Sequence, residues 1–119
     1  MCGIAGIYNF ELDPDSQGRI VNKMLNYMSH RGPDDSGIEI FDKCIIGQKR
    51  LSIIDLSVNA RQPLTSYNRD VSVVINGEIY NYKDLRQELL DRGHQFKSDS
   101  DSEVVLHGFR EWGSAIFSK

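Results

Sequence analysis

The strongest constraint on the fold is a pair of short β-prone runs, residues 37–41 and 44–49, with only Asp42 and Lys43 between them. Two strand-like runs joined by so short a loop favour an antiparallel hairpin. Other strand-like and helix-like segments are mixed along the chain without a regular strand–helix alternation. The sequence therefore predicts an α+β fold with antiparallel sheets.

Further strands are predicted around this hairpin. Residues 3–10 are apolar and contain two glycines, a composition typical of a buried strand, and residues 51–54 would continue the hairpin into another strand. Residues 71–75 form a β-branched run that predicts a central strand, and residues 94–97 predict a brief one. The polar stretch 55–70 contains turn formers and is predicted to be a surface loop.

Three helices are predicted from apolar residues at helical spacing, each with capping residues at an end. The first predicted helix begins at segment 13–16, and its apolar residues are Ile20, Val21, Met24, Leu25 and Met28. The second is capped by Asn81, buries Leu85 and Leu89, and ends at Gly93. The third begins with a Ser100–Glu103 capping box, has Val105, Phe109 and Trp112 as its stripe, and ends at Gly113.

Composition excludes several classes of function. The 119 residues suffice for one domain, and a net charge of −3 gives no pull toward nucleic acid or anionic lipid. No apolar run approaches the roughly 20 residues of a membrane helix, and the N-terminus lacks the features of a signal peptide. Two cysteines and three histidines show no metal-ligand spacing. We expect a cytoplasmic protein with reduced cysteines, no metal, no nucleic acid and no membrane partner.

Cys2 is the most informative candidate for chemistry. Removal of the initiator methionine would place its thiol and a free α-amine in one residue, so that the amine could take the thiol proton. An N-terminal amine paired with a side-chain nucleophile is a known variant of the catalytic triad. The alternative is a small buried hydrophobic residue, which is the role expected of Cys44 beside Ile45 and Ile46.

Asn76, Gly77 and Glu78 directly follow the predicted strand 71–75. An Asn side-chain amide and a Gly backbone N–H are suitable donors to an oxyanion, and glycine lets the backbone approach a substrate closely. The local alternative is a hairpin turn, since Asn-Gly between β-prone runs is a strong hairpin signal.

Arg50 and Asp101 are two further candidates, each for binding a charged group. Arg50 could hold a carboxylate with its planar fork, and the alternative is an ordinary surface arginine. Asp101 could meet an ammonium, because Ser100 and Glu103 can cap their helix without it. Its alternative is a stabilising charge in the first turn of a helix.

The order of these candidates along the chain matches a known family. The matching segments are MCGIAGIYNF at 1–10, HRGPDDSG at 30–37, KRLSIIDLS at 49–57, QPL at 62–64, VVINGEIYNYKDLRQEL at 73–89 and SDSDSEVVL at 98–106. The chain closely resembles the glutaminase domain of glutamine-hydrolysing asparagine synthetases, which are class-II, N-terminal-nucleophile glutamine amidotransferases.

This resemblance implies that Cys2 attacks the side-chain amide of L-glutamine and that water hydrolyses the resulting thioester. It implies an oxyanion hole formed by Asn76 and the Gly77 N–H. It assigns Arg50 to the substrate carboxylate and Asp101 to the substrate ammonium, with Glu78 and the backbone at Leu51 and Ile53 completing the pocket.

The resemblance also implies a fold and partners. The family fold is a four-layer αββα sandwich with two antiparallel sheets, which continues past Lys119, so residues 1–119 are expected to be an incomplete domain, truncated at the C-terminal side. A synthetase domain in the same full-length chain would use the ammonia, with ATP and Mg, to make asparagine from aspartate. The amidotransferase domain itself needs no cofactor, and exposed sheet edges would favour a homo-oligomer.

One family motif differs in this chain, and one alternative function remains open. The family usually has Gly-His-Arg-Arg-Leu where this chain has Gly47-Gln48-Lys49-Arg50-Leu51, so the usual histidine is replaced. A function of another class also remains open, namely a truncated or divergent module without turnover that acts in binding.

Overall fold

The predicted hairpin is present in the computed structural model, which describes residues 2–52 and 57–119. Strand β2 (Asp35–Ile40) pairs antiparallel with β3 (Cys44–Arg50), and the Phe41 N–H donates to the Cys44 carbonyl at 2.8 Å to close the turn. Strand β1 (Gly3–Tyr8) pairs antiparallel with the other edge of β3, which gives the order β1-β3-β2. The predicted α+β class with antiparallel sheets is therefore confirmed.

The described chain divides into two units. The first contains residues 2–52, 61–63 and 74–76, and the second contains residues 57–60, 64–73 and 77–119. Each unit has its own hydrophobic core.

Helix α1 (Pro14–Tyr27) covers one face of the sheet in the first unit. The Asp13 carboxylate accepts the Ser16 N–H at 2.8 Å and caps the helix as predicted. Val21 and Leu25 are fully buried and pack with Ala5 and Ile45, whereas Met24 of the predicted stripe is exposed. A Cβ on Gly47 would lie 2.7 Å from Leu25 Cδ1, so glycine permits this close approach of helix and sheet.

The face of the sheet opposite α1 carries the polar residues of interest. Ile45 and Gly47 face α1, and side chains alternate along a strand, so Gln48 and Arg50 lie on the opposite face. Both side chains are nevertheless buried. Buried polar side chains need hydrogen-bond partners. Polar contacts that could position a functional site are therefore expected on this face.

The described part of the second unit contains two helices, two 3₁₀ segments and a short ladder. Helices α2 (Tyr82–Asp91) and α3 (Ser102–Trp112) pack together, and the 3₁₀ segment Gly113–Ser118 packs on α3. Strands β4 (Leu64–Thr65) and β5 (Ser72–Val73) form a two-stranded antiparallel ladder. The buried core consists of Leu85, Leu89, Val104 and Ile116. Gly93 and Gly113 have positive φ angles of 92° and 58° and end the helices as predicted.

Three strand and loop predictions are wrong. The predicted loop 55–70 contains a 3₁₀ turn (Val58–Ala60) and strand β4, with Ala60 and Leu64 buried. The predicted central strand 71–75 is reduced to Ser72–Val73, one of only two strands in its ladder. Residues 94–97 form no strand, and Phe96 instead packs on the second core. Of the predicted strand 51–54, residues 51 and 52 are irregular, and the remainder lies outside the described ranges.

The N-terminal caps of α2 and α3 differ from prediction. Asn81 makes no side-chain cap and instead donates to the Lys119 carbonyl at 3.0 Å. The Ser100–Glu103 box does not form, because the Glu103 carboxylate accepts the N–H groups of Lys97 and Ser98 at 2.9 and 2.8 Å. The apolar stripe predicted for α3 is confirmed in part, since Val105 and Trp112 pack partly buried against the second core. Phe109 is 40% exposed, while the neighbouring Val104 and Leu106 are buried.

No helix within the described ranges is long and apolar enough to cross a lipid bilayer.

Candidate active site

Cys2 is held against the end of strand β3. Its Sγ accepts the Leu51 N–H at 3.4 Å and lies 3.9 Å from the Leu51 carbonyl, to which the thiol can donate. The Cys2 carbonyl accepts a hydrogen bond from Arg31 Nε at 3.3 Å. The side chain is half-buried, so the thiol is fixed by backbone contacts and still reachable. The structure thus brings together Cys2 and Leu51, two of the predicted site residues.

The segment 30–37, HRGPDDSG, fixes the chain immediately after β3. The Asp34 N–H donates to the Arg50 carbonyl at 3.1 Å, and the Asp34 carboxylate accepts the Ser52 N–H at 2.8 Å. A Cβ on Gly32 would overlap the backbone of Lys49, so only glycine allows this approach. Arg31 and Asp34 were not among the predicted site residues. The signal that could have found them is the HRGPDDSG motif itself.

Arg50, the last residue of β3, is 8% exposed and lies opposite Asp35 in the register of the β2–β3 pair. A hydrogen bond from Arg61 is the main cause of the lowered pKa of Asp35, and the positive charge of Arg50 adds to it. The surface-arginine alternative is therefore excluded. Arg50 is a buried cation next to Leu51 and on the polar face of the sheet.

Asn76 follows a backbone segment that is held by side chains. The Ile75 N–H donates to Gln62 Oε1 at 2.7 Å, and Gln48 Nε2 donates to the Ile75 carbonyl at 2.6 Å. Residues 74–81 contain no strand, so Asn76 and Gly77 do not join two strands and the hairpin alternative is excluded. The Asn76 side chain is exposed and so is available to a ligand.

Gly77, Glu78 and Asp101 belong to the second unit, where Gly77 and Glu78 are exposed. Asp101 is only 6% exposed, and its Oδ2 accepts the Ile79 N–H at 2.9 Å. The expectation that its carboxylate is left free is therefore wrong. Ser102 Oγ also donates to Asp101 Oδ1 at 3.3 Å. A carboxylate offers about four lone-pair sites, so these two contacts leave capacity for a further donor.

The predicted site residues thus fall into three groups. Cys2, Arg50, Leu51 and Asn76 lie in the first unit, and Gly77, Glu78 and Asp101 lie in the second. Ile53 lies outside the described residues. Within residues 2–52 and 57–119, no three His, Cys, Asp or Glu side chains converge in a way that could hold a metal ion.

The family of this chain follows from its similarity to known proteins. A profile described as the glutamine amidotransferase domain matches residues 1–119, the whole chain. The chain belongs to the glutamine amidotransferase family. The resemblance found in the sequence is therefore confirmed at the level of the family.

Curated relatives of this glutamine amidotransferase domain carry the name asparagine synthetase. The chain is 41% identical over 114 residues to asparagine synthetase [glutamine-hydrolyzing] 3 of Bacillus subtilis (strain 168), a match that covers 94% of this chain and 18% of that protein. It is 44% identical over 116 residues to asparagine synthetase [glutamine-hydrolyzing] 2 of the same organism, covering 95% and 15%. It is 40% identical over 113 residues to asparagine synthetase B [glutamine-hydrolyzing] of Escherichia coli (strain K12), covering 95% and 20%. The chain thus spans a fifth or less of the length of these relatives.

Proposed function

We propose that this domain hydrolyses the side-chain amide of L-glutamine, with Cys2 as the nucleophile. The observation that carries the proposal is the position of the Cys2 thiol, 3.4 Å from the N–H of Leu51, the residue that follows the buried cation Arg50. A nucleophile next to a fixed cation suits a substrate that has a carboxylate at one end. Membership of the glutamine amidotransferase family supports the same reaction.

The proposed reaction has two steps. After removal of Met1, the α-amine of Cys2 takes the thiol proton, and the thiolate attacks the carbon of the glutamine side-chain amide. The negative charge that develops on the amide oxygen is stabilised by the Asn76 side-chain amide and the Gly77 N–H. The C–N bond then breaks, the α-amine returns a proton to the leaving ammonia, and a thioester remains. Water hydrolyses this thioester to glutamate and regenerates the thiol.

The remaining residues are proposed to bind the amino-acid part of the substrate. Arg50 would pair with the α-carboxylate, since a guanidinium donates two parallel hydrogen bonds to a carboxylate. Asp101, with Glu78 beside it, would take the α-ammonium through lone pairs that the Ile79 and Ser102 contacts do not use. The backbone at Leu51 and Ile53 would complete the pocket.

The fate of the ammonia and the full architecture are also proposed. The relatives named above are glutamine-hydrolysing asparagine synthetases, which supports use of the ammonia to make asparagine from aspartate. ATP and Mg would act only in a synthetase domain of the full-length protein, and glutamine hydrolysis would need no cofactor. We propose that the antiparallel sheets belong to a four-layer αββα sandwich of the N-terminal-nucleophile type. The alternative of a binding module without turnover is not favoured by these relatives.

The test of this function compares the two cysteines, which lie near opposite ends of the β1–β3 ladder. In the natural full-length protein, Cys2→Ala should abolish glutamate release from glutamine, while asparagine synthesis with free ammonia survives. Cys44→Ala removes the other thiol and should leave both activities unchanged. Normal glutamate release by Cys2→Ala would show that another group performs the reaction.

A further inference from the structure

Two buried glutamines hold the backbone of the residue that precedes Asn76. Gln48 Nε2 donates to the Ile75 carbonyl at 2.6 Å and to Gln62 Oε1 at 3.0 Å. Gln62 Oε1 also accepts the Ile75 N–H at 2.7 Å. Both polar backbone groups of Ile75 are therefore bound by side chains, and we call this arrangement the glutamine clamp.

The direction of each amide in the clamp is determined by the backbone of Ile75. An N–H group can only donate, so the Gln62 atom that faces it must be oxygen, and the atom of Gln48 that meets two oxygens must be nitrogen. As a result, Gln48 Oε1 is buried without a hydrogen-bond partner among the described residues. Gln48 is fully buried. The amide is thus oriented toward Ile75 even though its own oxygen is left unsatisfied.

The clamp replaces strand pairing at the place where strand pairing ends. The β4–β5 ladder stops at Val73, so residues 74–76 have no partner strand among the described residues. A Cβ on Gly37 would overlap the Gln62 carbonyl, which shows that the backbone bearing one arm of the clamp lies directly against strand β2. The other arm is on β3. Asn76, the next residue, is therefore held relative to the same sheet that holds Cys2 through Leu51.

We propose that Gln48 and Gln62 are positioning residues, which fix the backbone of Asn76 so that its side chain can serve as an oxyanion donor. This inference rests on the function proposed above. Loss of the clamp should lower kcat rather than raise KM, because an oxyanion donor acts chiefly in the transition state. A misplacement of about 1 Å can cost about a hundredfold in rate.

The kinetic test uses Gln48→Met in the natural full-length protein. We expect kcat for glutamate release to fall about 10- to 100-fold, with KM changed less than about twofold. The matched control is Gln17→Met. Gln17 is another buried glutamine of the first unit, and its Nε2 also donates to two carbonyls, those of Phe10 and Leu12. The control should lose comparable stability and keep its kcat. An equal loss of kcat in both variants would overturn the proposal, since it would reflect general damage to packing.

A double-mutant cycle tests whether Gln48 acts through Asn76. Asn76→Ala alone should lower kcat by about 10²- to 10³-fold. If the clamp works only by placing Asn76, adding Gln48→Met to this variant should change kcat less than about twofold. If the losses of kcat caused by Asn76→Ala and Gln48→Met multiply in the double variant, the proposal that Gln48 acts through Asn76 is overturned. The proposed role of Cys2 in glutamine hydrolysis does not depend on that result.

A readout without turnover separates this inference from the proposed function. Hydrogen exchange of the Ile75 amide, measured by mass spectrometry on a peptide that contains it, should be slow in the parent and at least about tenfold faster in Gln62→Met. Gln17→Met should leave it slow. Unchanged exchange in Gln62→Met would overturn the clamp even if Cys2 is the nucleophile, whereas hydrolysis by Cys2→Ala would overturn the function without affecting this measurement.

Discussion

Arg50 combines burial, a fixed charge and a planar donor group at the end of β3. The carboxylate of Asp35 lies opposite it in register, and Asp35 is itself bound in a two-pronged contact by Arg61. Arg61 is 56% exposed and also binds Asp35, so that carboxylate does not depend on Arg50 alone. The proposed function assigns a second carboxylate, that of the substrate, to the guanidinium of Arg50.

Arg50→Lys should raise KM for glutamine about tenfold or more and change kcat less, because lysine keeps the charge and loses the planar fork. Steady-state glutamate release measures both parameters. Arg61→Lys is the matched control. Its side chain is 56% exposed, and the same substitution there should change KM less than about twofold. Equal effects at both positions would contradict a specific role for Arg50.

At the level of elements, the N-terminus of α3 depends on one buried carboxylate. Burial alone would raise the pKa of Glu103, but hydrogen bonds from His107, from Ser98 and from the Lys97 N–H outweigh it and lower the pKa to about 2. The usual value is near 4.5. Glu103 thereby ties segment 97–98 to the first turn of α3.

This lowered pKa predicts a defined pH dependence of stability. The carboxylate contributes fully above pH 4.5, and its contribution is lost as the pH falls from about 4.5 toward 2. Glu103→Gln should lower the free energy of unfolding at pH 7 by a few kcal/mol. The free energy of unfolding of this variant should also depend less on pH between about 4.5 and 2. Denaturant unfolding at several pH values tests this.

The control for that measurement is Glu88→Gln on α2. Glu88 is 38% exposed and pairs with Arg92 and Lys119. Exposed ion pairs contribute about 0 to 1 kcal/mol, so this variant should stay within that range at every pH. A loss at Glu88 as large as that at Glu103 would show that charge, rather than the buried hydrogen bonds, stabilises the helix.

The elements that sequence predicts well are those determined by local pattern. The hairpin, the Asp13 cap of α1 and the glycines that end α2 and α3 each depend on neighbours a few residues away. Glu103 was assigned to a capping box because its spacing from Ser100 fits, but the fold offers it better donors at Lys97 and Ser98. The strand predicted at residues 71–75 ends early, because side chains rather than a strand bind Ile75.

The candidate site likewise contains residues that the sequence indicates and contacts that it does not. Cys2, Arg50, Asn76 and Asp101 could be named from residue chemistry and from the family resemblance. The clamp could not, because Gln48 lies 14 residues from Gln62 and 27 from Ile75, and no local pattern joins them. The contact of Asp101 with Ile79 spans 22 residues and was equally invisible.

For the molecule as a whole, the sheet of the first unit offers unpaired edges. Among the described strands, β1 and β2 each pair only with β3. Large apolar side chains are exposed at or next to these edges, including Tyr8 at 77% and Ile40 at 47%. An exposed edge beside apolar surface invites pairing with another chain.

Residues 1–119 expressed alone should therefore self-associate. Sedimentation velocity should show species heavier than a monomer at micromolar concentrations, and Ile40→Lys on the edge strand β2 should shift them toward monomer. Val58→Lys is the control, since Val58 is 81% exposed and lies in a 3₁₀ turn rather than on an edge. A stable monomer with ordinary glutamate release would show that the chain is self-sufficient.

The glutamine clamp also determines which positions of this chain can vary. It binds Ile75 only through the backbone N–H and carbonyl, so it does not depend on the identity of that side chain. Proline is the exception, because it has no N–H to donate. Positions 48 and 62 should instead each resist replacement, because Gln48 alone binds the Ile75 carbonyl and Gln62 alone binds the Ile75 N–H. Random mutagenesis should thus find a permissive residue next to Asn76, held by two glutamines that do not tolerate replacement.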